Sequence, residues 1–86
     1  MNIYCSLSLF AMRQTVYVYD GEKEIANCAC NLSDIDETIS KLCSEYKINK
    51  IVFRGNEGYL QDIMLRILDV AKIKYGIYDL RFEVLK

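Results

Sequence analysis

Arg54-Gly55-Asn56-Glu57-Gly58-Tyr59 is the run in this sequence whose residue types best suit a ligand. A β-branched and aromatic stretch, Ile51-Val52-Phe53, leads into it and a helical pattern follows. Gly55 and Gly58 permit positive φ, Asn56 is suited to cap the helix, and Tyr59 falls in the first turn, where its ring would cover a bound group. Arg54 adds a planar fork of donors that matches phosphate. Together they describe a helix start that accepts an anion, of the general kind used for nucleotides. Glu57 opposes this, because a carboxylate in the first turn already satisfies the helix dipole and would repel phosphate. The same six residues also make an ordinary strand-to-helix corner with an Asn cap. Open sheets bind ligands beyond the carboxyl ends of their strands, so Arg13 joins the candidate set if the first and fourth strands run parallel.

Other chemistries find less support. The chain has no histidine, which removes the usual proton shuttle at neutral pH. A serine or cysteine nucleophile would need Lys, Glu or Tyr as its base, and no spacing points to one. Phosphate-binding loops, the nucleophile elbow and the dinucleotide fingerprint are absent. Cys5, Cys28, Cys30 and Cys43 include no C-x-x-C pair. The thiols of Cys28 and Cys30 stand about 6.5 Å apart along one side of a strand, parallel rather than converging. They read as small buried hydrophobes in a reducing compartment. The expectation is a non-enzymatic protein with no catalytic residue, cofactor or metal.

The elements that position these residues follow from periodicity. Residues 2–10 alternate as a strand, Met12-Arg13-Gln14 turns the chain, and residues 15–19 alternate again. Asp20-Gly21 is the strongest hairpin signal, and residues 23–30 return as a third strand. Ser33 predicts an N-cap, with Asp34, Asp36 and Glu37 loading the first turn with negative charge. The first helix follows to residue 46 on the stripe Ile35, Ile39, Leu42, Cys43 and Tyr46. Residues 49–54 form the central strand, a crossover partner of an earlier one. The second helix covers 57–72, with Leu65 and Val70 outside its apolar stripe. Gly76 ends it, and residues 77–85 set Tyr78, Leu80, Phe82 and Val84 against Asp79, Arg81 and Glu83.

The order βββαβαβ predicts one α/β (α+β) domain spanning 1–86: a single mixed five-stranded sheet with both helices packed on one face. The other face would carry Tyr4, Ser6, Ser8, Phe10, Tyr17 and Tyr19. Rings at that density imply a ligand platform or a homo-oligomeric interface, to which exposed Leu65 would add.

Charge narrows the partners. With 11 basic and 12 acidic side chains the net charge is −1, so no global field draws a polyanion and nucleic acid is not an expected partner. The basic clusters at 47–50 and 72–74 each fall at an expected helix end, where cations complement the dipole. The amino-terminal stretch MNIYCSLSLFAMRQ lacks the basic start of a secretion signal. No apolar run approaches the ~20 residues that span a bilayer, and a cytoplasmic, membrane-free location is expected.

The element order, and the stretch INKIVFRGNEGYLQDIMLRIL in which a strand ends in a glycine turn and leads into a helix, resemble the ribonuclease H-like and actin-like superfold. The resemblance implies, for a nuclease, an acidic residue within the first strand and others at the first helix and after the fourth strand, together holding two divalent ions. Here the first strand, NIYCSLSLF, has no Asp or Glu, so Glu37 and Glu57 read as helix-start charges and the fold is expected without that chemistry. In style the chain is similar to accessory proteins of bacteriophages and mobile elements. Three functions follow as expectations: an oligomeric binder that sequesters a nucleotide-like or other anionic small molecule through Arg54, Gly55, Asn56, Tyr59 and Arg13; an inhibitor or assembly factor that engages a host protein through the tyrosine face; and a divergent nuclease-like enzyme.

Overall fold

The computed structural model describes residues 1–8 and 13–85. Strands β1 (Asn2–Ser6), β2 (Arg13–Asp20) and β3 (Lys23–Asn31) form an antiparallel meander. A 3-10 turn (Leu32–Asp34) leads into α1 (Ile35–Glu45), followed by β4 (Lys50–Gly55), α2 (Glu57–Asp69), a π-turn (Val70–Lys74) and β5 (Asp79–Val84). The five strands make one mixed sheet in the order β3-β2-β1-β4-β5, with β1, β4 and β5 parallel. The expected architecture is present, but β1 and not β4 is the central strand. The crossover through α1 passes over β2 and β1 before β4 enters the sheet.

Alternation builds the core. Ile3 and Cys5, Val16 and Val18, and Ile51 and Phe53 are fully buried on one side of the sheet, opposite one another in register as Ile3↔Val18, Ile3↔Ile51 and Cys5↔Phe53. Ile35, Ile39 and Leu42 of α1 and Leu60, Ile63 and Ile67 of α2 close on the same cluster, so both helices cover one face. Each such side chain contributes roughly 1.5–3 kcal/mol on burial. Between β2 and β3, Gly21 takes a φ of 64°, the positive value that the first central residue of a type II′ hairpin turn requires.

Some local expectations change. Ser33 does not cap α1: it lies within the 3-10 turn, and neither that turn nor α1 has a side-chain cap bond. Arg66 of α2 ties this turn down in a different way, donating to the Leu32 carbonyl at 2.9 Å and to the Ser33 carbonyl, and meeting Asp36 Oδ1 at 2.6 Å. Arg13 and Gln14 are paired residues of β2, opposite Asn31 and Cys30, because the chain is already extended there; Met12 and Phe10 lie outside the described residues. Regular helix ends at Asp69 and not at Lys72, and the π-turn beyond it is followed by Tyr75, whose hydroxyl lies 3.1 Å from the Ser40 carbonyl and 3.0 Å from its Oγ.

Candidate functional site

The β4–α2 corner is a capped helix start. Asn56 is the N-cap residue, and its Oδ1 accepts from the Tyr59 N–H at 2.9 Å. Among the described residues only Gly21 and Gly76 have positive φ, so neither Gly55 nor Gly58 uses the freedom expected of it. Gly55 fits a tight space: a Cβ there would stand 3.0 Å from the Cβ of Leu7, which would have to give by a few tenths of an ångström. Tyr59 is half-buried and packs against the core.

Alternation along β4 places Lys50, Val52 and Arg54 on the face that the helices leave uncovered. Arg54 Nε lies 3.9 Å from Glu83 Oε2 on β5, with both side chains about half-exposed, a pair worth about 0–1 kcal/mol. Arg13 sits at the same end of the sheet, since β1 and β4 run parallel (Ser6↔Arg54) and β2 returns antiparallel beside β1. Arg13 lies two strand spacings across from Arg54 and two residues further along the register, so about 12 Å separate their backbones. The Arg13 Nη2 donates to the Ala29 carbonyl of β3 at 3.3 Å. The two guanidinium groups therefore turn toward opposite edges and do not converge over the corner.

The uncovered face is more concave at its other end. Tyr4 faces Tyr17 across β1 and β2, and the rings of Tyr17 and Tyr19 are 6.2 Å apart at a tilt of 37°. All three tyrosines are half-buried. An open basin of about 440 Å³ is bounded by Asn2, Tyr4, Tyr19, Glu22, Lys50 and Val52, within the range of small-molecule sites. Lys50, like the other lysines among the described residues, has no ion-pair partner, whereas Arg54 and Arg81 each have one and Arg66 has two. Chemically the basin offers two aromatic surfaces, one aliphatic floor residue, a free ammonium, and an amide and a carboxylate for polar edges.

Tyr4 and Tyr19 are legible in the sequence as members of this face; Asn2, Glu22 and Val52 carry no such mark. The sequence suggests a helix-end role for Lys50 together with Lys47, yet the last turn of α1 has no basic residue and Lys50 opens β4. The alternation Lys50-Ile51-Val52-Phe53-Arg54 was the signal that places it. Leu65 is 80% exposed, but it belongs to α2, in the layer on the opposite side of the sheet from the tyrosines, so one flat contact cannot include all four expected interface residues.

Reactive groups are sparse. Burial, and next the neighbouring Cys30, pushes the Cys5 thiol up to about 12, and burial pushes Cys43 up to about 11. Both stay protonated near neutral pH, where a thiol is a poor nucleophile. Among the described residues no three His, Cys, Asp or Glu side chains stand together so as to hold a metal ion, and no helix is long and apolar enough to cross a membrane. Compared with protein-family models, curated proteins and solved structures, the chain matches none.

Proposed function

We propose that this chain is a small non-enzymatic binding protein whose working surface is the uncovered sheet face, and that the basin between Tyr4, Tyr19 and Lys50 takes a planar anionic molecule of nucleotide type. The observation that carries this is an unpaired ammonium beside two half-buried rings in a concavity of about 440 Å³. The anion-accepting role expected of the Gly55 corner passes in this proposal to Lys50, because the corner's Asn56 is occupied as a cap and its two arginines diverge.

The ribonuclease H-like resemblance and the role of a phage or mobile-element sequestering protein belong to the same proposal. Support for a non-catalytic form comes from β1, whose residues Asn2 to Ser6 include no carboxylate. Four free cysteines support a reducing, cytoplasmic setting.

A second reading has its own observation. Around the three rings the face presents Ser6, Thr15 and Asn27, and rigid aromatic anchors among short polar side chains are the composition of surfaces that grip proteins. A thermal-shift screen with linear and cyclic mono- and dinucleotides separates the two. A ligand at 100 times its dissociation constant adds about 2.7 kcal/mol to stability. If no nucleotide raises the midpoint, the small-molecule proposal fails and the protein-partner reading replaces it.

A further inference from the structure

The outer edge of β3 carries no charged side chain of its own over five residues, although Arg13 of β2 reaches the Ala29 carbonyl on it, and backbone parity shows which groups it offers. The Leu7 N–H donates to the Arg54 carbonyl, and the Leu85 N–H to that of Gly55. Successive residues of a strand direct their backbone groups to alternate sides, so the odd residues of β1 face β4 and the even ones face β2. Through the registers Tyr4↔Tyr17 and Val16↔Cys28 the alternation continues, and the even residues of β3 from Ala26 onward bond to β2. Asn27, Ala29 and Asn31 therefore point their N–H and C=O groups out of the sheet. The bond from Arg13 to the Ala29 carbonyl agrees.

Edges are ordinarily blunted by charge, proline or a bulge. β3 has a register irregularity opposite Val18/Tyr19, where Ile25 is the extra residue, and Lys23 and Glu24 lie before it. From there to the 3-10 turn, Ala26-Asn27-Cys28-Ala29-Cys30 carries no charge, no proline and no long side chain.

We infer that this edge pairs with the same edge of a second copy, antiparallel, to give one ten-stranded sheet. Side-by-side antiparallel pairing of identical strands requires a two-fold axis perpendicular to the sheet, which keeps both helix layers on one side and must pass through a residue pair. Centred on Ala29, the axis would bring two Arg13 guanidinium groups together. Centred on Asn27, it would set the bulged Ile25 against Ala29. Centred on Cys28, it joins Asn27 to the partner's Ala29 and Ala29 to the partner's Asn27 in hydrogen-bonded pairs, with Cys28 facing its counterpart in the closer, non-bonded pair. The helix above supports the same occupant. Asp36 of α1 meets Arg66 of α2 and Ser40 meets Tyr75 beyond the π-turn, so helical geometry turns exposed Lys41 and Glu45 toward the β3 side, where a two-fold would let side chains of opposite charge from the two copies face one another. The inference stands independently of what the basin binds.

Sedimentation of the reduced protein should show a concentration-dependent doubling of the 10.0 kDa mass. Diamide, which accepts the two electrons and two protons released as two thiols join, should yield a covalent dimer from the wild type and none from Cys28→Ser. Ala29→Pro removes an outward N–H without touching the ladder to β2, and should weaken association by about tenfold or more while far-UV circular dichroism stays unchanged. Should Ala29→Pro not fold, Asn27→Lys, an exposed change that sets like charges near the axis, serves in its place. A strictly monomeric wild type, a dimer undiminished in a folded edge variant, or cross-linking that survives Cys28→Ser would each overturn the inference.

Discussion

Leu7 and Gly55 touch so closely that a Cβ on the glycine would meet the Leu7 Cβ at 3.0 Å. Around this contact the Leu7 N–H donates to the Arg54 carbonyl at 2.6 Å and the Gly55 carbonyl accepts from Leu85 at 2.8 Å. The glycine that invites a ligand reading is thus a spacer that lets the segment after β1 lie against β4. Gly55→Ala is expected to cost about 1–3 kcal/mol in urea unfolding through overpacking. In a Leu7→Ala background the same change should cost clearly less, since the opposing side chain is gone. Equal costs in the two backgrounds would contradict the packing role.

Asn56 makes a separable prediction. Loss of its cap bond in Asn56→Ala should lower stability by about 1 kcal/mol, and Asn56→Asp should retain most of it. Neither change should alter nucleotide-dependent stabilisation, measured as the difference in midpoint with and without ligand. A binding loss larger than the stability loss would return the site to the corner.

The converse holds at the basin. Lys50→Gln and Tyr19→Ala should abolish any nucleotide-dependent shift, while Arg54→Gln should preserve it. Because an exposed ammonium attracts its anion through water, the remaining affinity should fall as salt rises. Titration calorimetry at low and high ionic strength tests both statements.

Arg66 ties α2 to the turn before α1 through the Leu32 and Ser33 carbonyls and Asp36. Arg66→Met keeps much of the side-chain volume and deletes these donors, and should destabilise by about 2–3 kcal/mol. Arg66→Lys should recover only part, because one ammonium cannot reproduce a planar fork that reaches several acceptors. Chemical denaturation of the three proteins orders them.

Alkali should probe Cys5. In the unfolded chain this thiol ionises at its ordinary 9.0, whereas in the folded protein burial holds it protonated to about 12. Its contribution to stability is therefore complete below 9.0 and is lost as pH rises toward 12, because the unfolded chain releases the proton first. Urea midpoints of wild type and Cys5→Ala, measured at about pH 8 and about pH 10, should converge with alkalinity. Parallel midpoints would show that Cys5 does not carry the effect.

Much of the fold was legible. Strict alternation in Ile3, Cys5 and Leu7, or in Val16 and Val18, marks strands with one buried face, and Asp20-Gly21 marks the hairpin. What is not legible is long-range: the position of β1 between β2 and β4 depends on pairings nearly fifty residues apart, and the hold of Arg66 on the Leu32 and Ser33 carbonyls depends on where α2 lands. The corner Arg54-Gly55-Asn56 drew attention because Gly and Asn serve ligand loops and plain caps alike. The basin is not legible in the sequence because its members come from β1, β2, the hairpin turn and β4, which only the long-range pairings bring together.

The place of β1 has a consequence for how the chain matures. Asn2 pairs with Lys50 in the parallel ladder, so the middle of the sheet waits for residues synthesised long after its first strand. The β2–β3 hairpin closes locally, within microseconds, but the junction on which the core rests carries the entropy of a loop that includes α1 and half the sheet, which slows folding in proportion to such non-local pairing. Until β4 emerges from the ribosome, one side of β1 has no mate, and this newborn intermediate is the form most exposed to aggregation or to chaperones.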